Sequence, residues 1–322
     1  MSNLLNPSRF ETGAAALTLD DALGGWSTYE LFSTGWSSAA MWTRRTSDNA
    51  TAYIFFDGSG TISTSSFIST TSATTPSATT LGTWSSGTDV VVNELYFQTP
   101  DDASIDSNYT LKQNNSNYQP HIVTAGVVDT DANGMVGLVG DAQSWLHQTS
   151  YVPIPELADT NDWGIFDLIS TNSNSQNMIS WCNLSRATGV DGNNSRVVGY
   201  CSKLTGGFIS LVRDDTLANN IVYSTVGAGG YFYRLHTHAH VAADKSLTSA
   251  IQNNYSDSNY YGTSTYTTGY QNDGFVIMAQ LFRNTELSNG HWNGCIIFDQ
   301  DITADRSALY TEIRTLFSDN FD

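Results

Sequence analysis

The stretch YRLHTHAHVAA, residues 233–243, places three histidines at alternate positions. In a strand, successive side chains point to opposite faces. Tyr231, Tyr233, Leu235, Thr237, Ala239 and Val241 therefore share one face, and Arg234, His236, His238 and His240 share the other. The first set is mostly apolar and the second polar throughout, the pattern of a half-buried strand whose histidines look towards solvent or a cleft. The competing reading is a metal site. Same-face neighbours lie roughly 7 Å apart, so two of the histidines can share an ion, but His236 and His240 are about 13 Å apart and a three-histidine site needs a bulge. Zinc also wants a further ligand or an open water position, and the nearest carboxylate, Asp244, belongs to no ligand motif. The stretch is read as a strand, with no metal at His236 or His238.

The same pattern extends upstream. Between residues 151 and 230, WGIFDLIS, NMISWCNLS, SRVVGYCSK, GGFISLVRDD and NIVYSTVG are short β runs separated by turn clusters. Regular spacing without intervening amphipathic helices points to an all-β sandwich or barrel and against a parallel α/β sheet. One helix is expected, at the end: in ITADRSALYTEIRTLF, residues 302–317, Leu309, Ile313, Leu316 and Phe317 recur at helical spacing, with Thr303 or Asp301 as cap.

Composition agrees. Charged residues make up 14% and aromatics 12% of 322 residues, and Gly, Ser, Thr and Asn are abundant, a mixture that favours strands and turns with enough large side chains for a core. Only 13 Lys and Arg stand against 31 Asp and Glu, a net charge of −18 that repels phosphate backbones and anionic lipid heads. Nucleic acid and membrane insertion are accordingly not expected. No window has the layout of a signal peptide, so synthesis and folding are expected in a cytoplasm. Cys182, Cys201 and Cys295 form no CxxC pair and are read as buried free thiols.

Residues 1–25 read as an N-terminal arm and 26–322 as a single domain. Within it, residues 39–63 form two β runs joined by a polar turn and closed by DGSG at 57–60. The Ser/Thr-rich tract 63–88 stays inside the domain because Phe67, Ile68, Leu81 and Trp84 interrupt it. DTDANGMVG, residues 129–137, opens like a calcium loop with Asp129, Asp131 and Asn133, but its twelfth position is Gly140. A hairpin turning at Asn133-Gly134, between HIVTAGVV and MVGLVG, is the preferred reading.

Three stretches taken in order resemble one family, the concanavalin A-like, laminin-G-type jelly rolls of tailed phages, related in fold to the catalytic domain of arabinofuranosidase B. MWTRRTSDNATAYIFFDGSGTIS (41–63) is similar to that family's early strands. LYFQTPDD (95–102) and YTLKQNNSNYQPHIVTAGVVDTDANGMVGLVGD (109–141) are similar to its middle segment. GHWNGCIIFDQDITADRSALYTEIRTLF (290–317) looks like its closing strand and helix. The resemblance implies an all-β, concanavalin A-like jelly-roll sandwich with a short C-terminal helix. Two departures bear on activity. The family's Tyr-Asp-Gln-Ser becomes Tyr96, Phe97, Gln98 and Thr99, and its Gln-Glu in the closing strand becomes Gly294 and Cys295. Two carboxylates are lost, and no Asp or Glu pair can be assigned the separation that glycoside hydrolysis requires.

The resemblance thus implies a non-enzymatic virion component without a cofactor: a capsid decoration or surface knob, oligomeric in the particle, whose partners are other capsid or tail proteins and host surface glycans. A tail-fibre-tip adhesin and a glycoside hydrolase are the alternatives. The phosphate-loop, G-x-S-x-G and H-E-x-x-H patterns are absent, as are heptads and stem repeats. For ligand contact the sequence points to NNYSDSNYYGTSTYTTGYQND, residues 253–273, read as a long surface loop in which Tyr255, Tyr260, Tyr261, Tyr266 and Tyr270 are set among small polar residues. Trp36, Trp42, Trp145 and Trp163 are read as core.

Overall fold

A computed structural model describes residues 16–32, 36–101, 105–131, 134–140, 144–148, 154–158, 160–171, 178–184, 196–202, 207–213, 219–225, 232–253, 256–265, 275–278 and 290–317. The strands are β1 (Gly24–Ser27), β2 (Met41–Arg45), β3 (Thr51–Ile54), β4 (Ile68–Ser69), β5 (Val90–Leu95), β6 (Leu111–Lys112) and β7 (His121–Thr124). There follow β8 (Val127–Val128), β9 (Leu138–Val139), β10 (Leu146–Gln148), β11 (Trp163–Thr171), β12 (Met178–Leu184), β13 (Arg196–Ser202) and β14 (Gly207–Arg213). The last are β15 (Asn219–Thr225), β16 (Phe232–Val241), β17 (Ser246–Asn253), β18 (Ser256–Thr265), β19 (Phe275–Ile277) and β20 (Gly290–Phe298). Two helices accompany them, α1 (Leu81–Trp84) and α2 (Arg306–Leu316). The chain is all-β with a short C-terminal helix, and no helix among the described residues is long and apolar enough to cross a membrane.

The strand pairings are antiparallel and trace two layers. One runs β18–β17–β16–β11–β20, with β1 and β9 side by side on the far edge of β20. The other runs β4–β3–β2–β5–β6–β10–β19–β12–β13–β14–β15. Strand β7 pairs with both β5 and β9 and so stitches the layers together. Between them Trp26 of β1 stacks on Phe275 of β19 at 4.9 Å between centroids and meets the edge of Phe97 at 4.7 Å. Such aromatic packing contributes about 1 kcal/mol per pair beyond the area it buries.

Strand β20 is buried along its whole length, and β11 is buried over Trp163–Ile169. Central strands covered on both faces read as near-continuous apolar runs, which is why GHWNGCIIF and WGIFDLIS show little alternation. The approach of β1 to its neighbours selects glycine: a Cβ on Gly24, whose φ is +149°, would lie 2.4 Å from both the Gln98 carbonyl oxygen and the Phe97 ring.

Several expectations need correction. Of the expected arm, Leu19 and Ala22 are buried, Leu17 and Leu23 pack on the core, and the Leu19 amide donates to Glu312 Oε2 on α2 at 2.9 Å. Residues 17–25 therefore belong to the folded body, and β1 begins at Gly24; Leu4, Leu5 and Phe10 lie outside the described residues. HIVTAGVV is not one strand but the β7–β8 hairpin, turned by Ala125 and Gly126 with φ of 51° and 86°. Asp89 Oδ1 accepts from the Ala125 amide at 2.7 Å, which helps hold a non-glycine residue in that conformation. The chain reverses again between Thr130 and Val136, which are bridged, although Asn133 of the Asn-Gly signal lies outside the described residues. There the Asp131 carboxylate accepts from the Met135 amide at 2.9 Å, closing a turn.

In the Ser/Thr-rich tract, Ile68 and Leu81 are buried and Trp84 packs on the core, while Phe67 is 46% exposed. Helix α2 buries Leu309 and Ile313, and Phe317 meets Tyr29 edge-on at 4.7 Å. Its cap differs from expectation. Asp305 occupies the N-cap without a side-chain cap bond, and Asp301 instead closes a turn upstream by accepting from the Thr303 amide at 2.9 Å.

Candidate functional site

Cross-strand register in the second layer assembles a row that no local stretch of sequence contains. Tyr53 on β3 faces Trp42 on β2, and Trp42 faces Glu94 on β5. Glu94 faces Lys112 on β6, and Lys112 faces His147 on β10. Directly opposed residues lie on the same face of a sheet, so these five form one line across five strands. Their strand neighbours Ala52, Met41, Thr43, Leu95, Leu111, Leu146 and Gln148 are buried on the other face. The alternation is the familiar one of a half-covered antiparallel sheet.

All five members of the row are half-buried. Trp42 and Tyr53 stack with centroids 6.3 Å apart, and Trp36 packs beside them over Ala39, Phe55 and Tyr96. In the middle, Lys112 Nζ lies 2.9 Å from Glu94 Oε1, and the Tyr96 hydroxyl donates to Glu94 Oε2 at 3.1 Å. Burial, helped by the Glu94 charge, pushes the Tyr96 phenol far above its usual range, so it remains a donor. At the other end Trp145 lies against His147 at 4.8 Å, and burial lowers the pKa of that imidazole. The row ends against covered positions: Ser69, opposite Tyr53, is 3% exposed, and Val276, opposite His147, is 2% exposed.

An irregularity sits beside the row's centre. Trp42 pairs with Glu94 but Thr43 pairs with Val92, so Asn93 is the extra residue of a bulge. Its Oδ1 is buried without a hydrogen-bond partner. Bulges recur where a sheet re-aims a side chain for binding, and a buried amide oxygen left unpaired asks for an explanation. Indole and phenol faces at the ends with a charged hydrogen-bonding pair between them can stack on a sugar's C–H face and bond its hydroxyls.

The residues singled out from sequence fall elsewhere. Tyr255, Tyr266 and Tyr270 lie outside the described residues. Tyr260 and Tyr261 belong to β18, paired with Ile251 and Ala250 of β17, so the expected long loop is in large part a strand. Of the four tryptophans assigned to the core, Trp163 is buried, whereas Trp42, a member of the row, and Trp36 and Trp145 beside it are half-buried.

The histidine strand is correctly placed as β16, but its residues 237–240 are closed to solvent. His238 and His240 are fully buried; the side chain of His236 lies outside the described residues. His238 Nε2 lies 3.0 Å from Asp167 Oδ1 on the adjacent β11, and His240 stacks on Trp163 at 5.2 Å while its Nδ1 donates to the Asn161 carbonyl at 2.7 Å. Burial, with the nearby Arg306 charge, drives the His238 pKa down to about 3, so a neutral imidazole donates to Asp167 rather than forming an ion pair. Opposite Asp167 on β20 stands Cys295, a buried free thiol whose pKa is raised by burial and by the Asp167 carboxylate. The cluster is sealed from substrate and its thiol is held protonated. Among the described residues no group of three His, Cys, Asp or Glu is arranged to hold a metal.

The two departures from the family pattern are also sealed. Phe97 is 1% exposed and packed against Trp26 and Tyr109, and Cys295 is wholly buried. Beside Phe97, Gln98 is a buried clamp: Oε1 accepts from the Leu31 amide at 2.8 Å and Nε2 donates to the Tyr29 carbonyl at 2.9 Å.

No model of a known protein family matches this sequence, and no curated protein matches it. Solved structures do resemble the fold. A GH54 α-L-arabinofuranosidase soaked with a cyclic sulfate inhibitor aligns over 92% of this chain and 63% of its own length, at 13% identity and a TM-score of 0.57. A mutant GH54 enzyme soaked with 4-nitrophenyl α-L-arabinofuranoside aligns over the same shares at 13% identity and a TM-score of 0.60. An arabinofuranosidase complexed with arabinofuranosyl-α-1,2-xylobiose aligns over 92% of this chain and 62% of its own, at 15% identity and 0.57. The chain thus shares a fold with these enzymes and spans somewhat under two thirds of their length.

Proposed function

We propose that this chain is a non-enzymatic, glycan-contacting module with a concanavalin A-like jelly-roll fold, carried on a phage particle as a capsid decoration or surface knob. The observation that carries glycan contact is the Tyr53–Trp42–Glu94–Lys112–His147 row, with aromatic faces at its ends and paired hydrogen-bonding groups at its centre. Its likeness to arabinofuranosidases adds a fold whose solved examples include one soaked with 4-nitrophenyl α-L-arabinofuranoside and one complexed with arabinofuranosyl-α-1,2-xylobiose. The virion assignment rests on the resemblance of residues 41–63, 95–141 and 290–317 to phage jelly rolls, with capsid or tail proteins as partners. Absence of turnover is supported by Phe97 and Cys295, core residues where the family carries acids. Hydrolysis normally needs two carboxyl groups about 5 to 10 Å apart. Among the described residues the row offers one, Glu94, already engaged by Lys112 and Tyr96.

The second reading is a glycoside hydrolase, favoured by the TM-scores of 0.57 to 0.60 to GH54 enzymes. One experiment separates the two. Purified protein is incubated with a library of plant and bacterial oligosaccharides, and both retention and product release are followed. Retention without product is expected. Turnover abolished by a single Asp or Glu substitution establishes the hydrolase instead, and neither retention nor turnover removes both readings.

A further inference from the structure

Resting on the glycan-contact reading, we infer that the row takes an uncharged oligosaccharide of several residues laid across the strands, rather than the tip of a glycan. Length is the first argument. From Tyr53 on β3 to His147 on β10 there are four strand spacings. At about 4.8 Å each they span about 19 Å. A pyranose repeat is close to one strand spacing, so the row matches about four sugar residues. A monosaccharide covers one platform and leaves the other bare.

The distribution of chemistry along the row agrees. Stacking surfaces lie at both ends, Trp42 with Tyr53 and Trp145 with His147, and the polar pair lies between them. A terminal-sugar pocket would gather its aromatic and polar groups around one point. Here they are strung out in the order that end residues stacked and inner residues hydrogen-bonded would meet. The covered positions Ser69 and Val276 bound the line at either end and set its length.

Charge selects the class of sugar. Lys112 is already paired with Glu94 at 2.9 Å, so the centre of the row is neutral as a unit. The whole chain carries −18, which repels polyanions. An uncharged polyhydroxylated chain complements such a centre, since its hydroxyls both donate to Glu94 and accept from Lys112.

The test is calorimetric titration of the wild-type chain with uncharged gluco-, xylo-, arabino-, manno- and galacto-oligosaccharides of one to six units, and with tetragalacturonate as the acidic counterpart. In the series that binds, affinity is expected to rise at least about tenfold from monomer to tetramer and to level off beyond it, one stacking platform being worth about that factor. Trp42→Ala and Trp145→Ala should each remove most of that gain. A monomer that binds as tightly as its tetramer overturns the length assignment while leaving glycan contact standing, and tighter binding of tetragalacturonate overturns the uncharged assignment. Binding by no member at any length overturns the glycan reading itself.

Discussion

Gln98 shows how much one side chain can hold. Its amide is 1% exposed and ties two backbone groups of the segment leaving β1, the Leu31 amide and the Tyr29 carbonyl. Replacing it with Leu keeps the volume but strands both partners in the interior, at about 1–3 kcal/mol each. Gln98→Leu is therefore expected to lower the unfolding free energy by about 3 kcal/mol in urea melts, whereas an unchanged midpoint would remove the clamp. Gln98 stands in the family's Tyr-Asp-Gln-Ser pattern, where the resemblance marks the acid lost at Phe97 and says nothing of the amide kept beside it. Its role was hidden because its partners are main-chain atoms roughly 70 residues away, which sequence spacing does not reveal.

The β11, β16 and β20 elements explain both the success and the failure of the histidine pattern. Alternation identified β16 correctly, because period two is a property of the backbone. It misjudged exposure, because a polar face bonded to a buried carboxylate on the next strand has the same sequence signature as one facing water. His238 shows the difference, with Asp167 at 3.0 Å and a pKa depressed to about 3. An unfolded histidine takes up its proton near pH 6.5 while the buried ring does not, so protonation favours the unfolded chain. The contribution of His238 is fully present above about pH 6.5 and is lost as pH falls towards about 3. His147 and His291, also lowered by burial, act in the same direction. His238→Gln retains a donor for Asp167 but no longer titrates. The loss of unfolding free energy between pH 7.5 and 4.5 is expected to be smaller in this variant than in wild type. An identical loss in both would contradict a neutral, buried His238.

At the scale of the whole molecule, fold class and most elements were legible because they depend on local signals. The five β runs of 151–230 are β11 to β15, and the helical stretch of 302–317 contains α2, Arg306–Leu316. The candidate site was not legible. Its five residues come from five strands between positions 42 and 147, and only register brings them into one line. Composition instead points to the tyrosines of 253–273, and large size alone places Trp42 and Trp145 in the core. Trp42 is half-buried, stacked on Tyr53 and set beside the Glu94–Lys112 pair, a placement that size alone does not reveal.

The central proposal is that sugar meets this face without being cleaved. Its most direct test is indole fluorescence of wild-type and Trp42→Ala protein titrated with the oligosaccharide that wild type retains best, with the ligand recovered and sized afterwards. Expected are a saturable signal in wild type, at least about tenfold weaker binding in a variant that still unfolds cooperatively at a somewhat lower temperature, and ligand of unaltered length. Equal affinity in the two proteins, or shortened ligand, would contradict it.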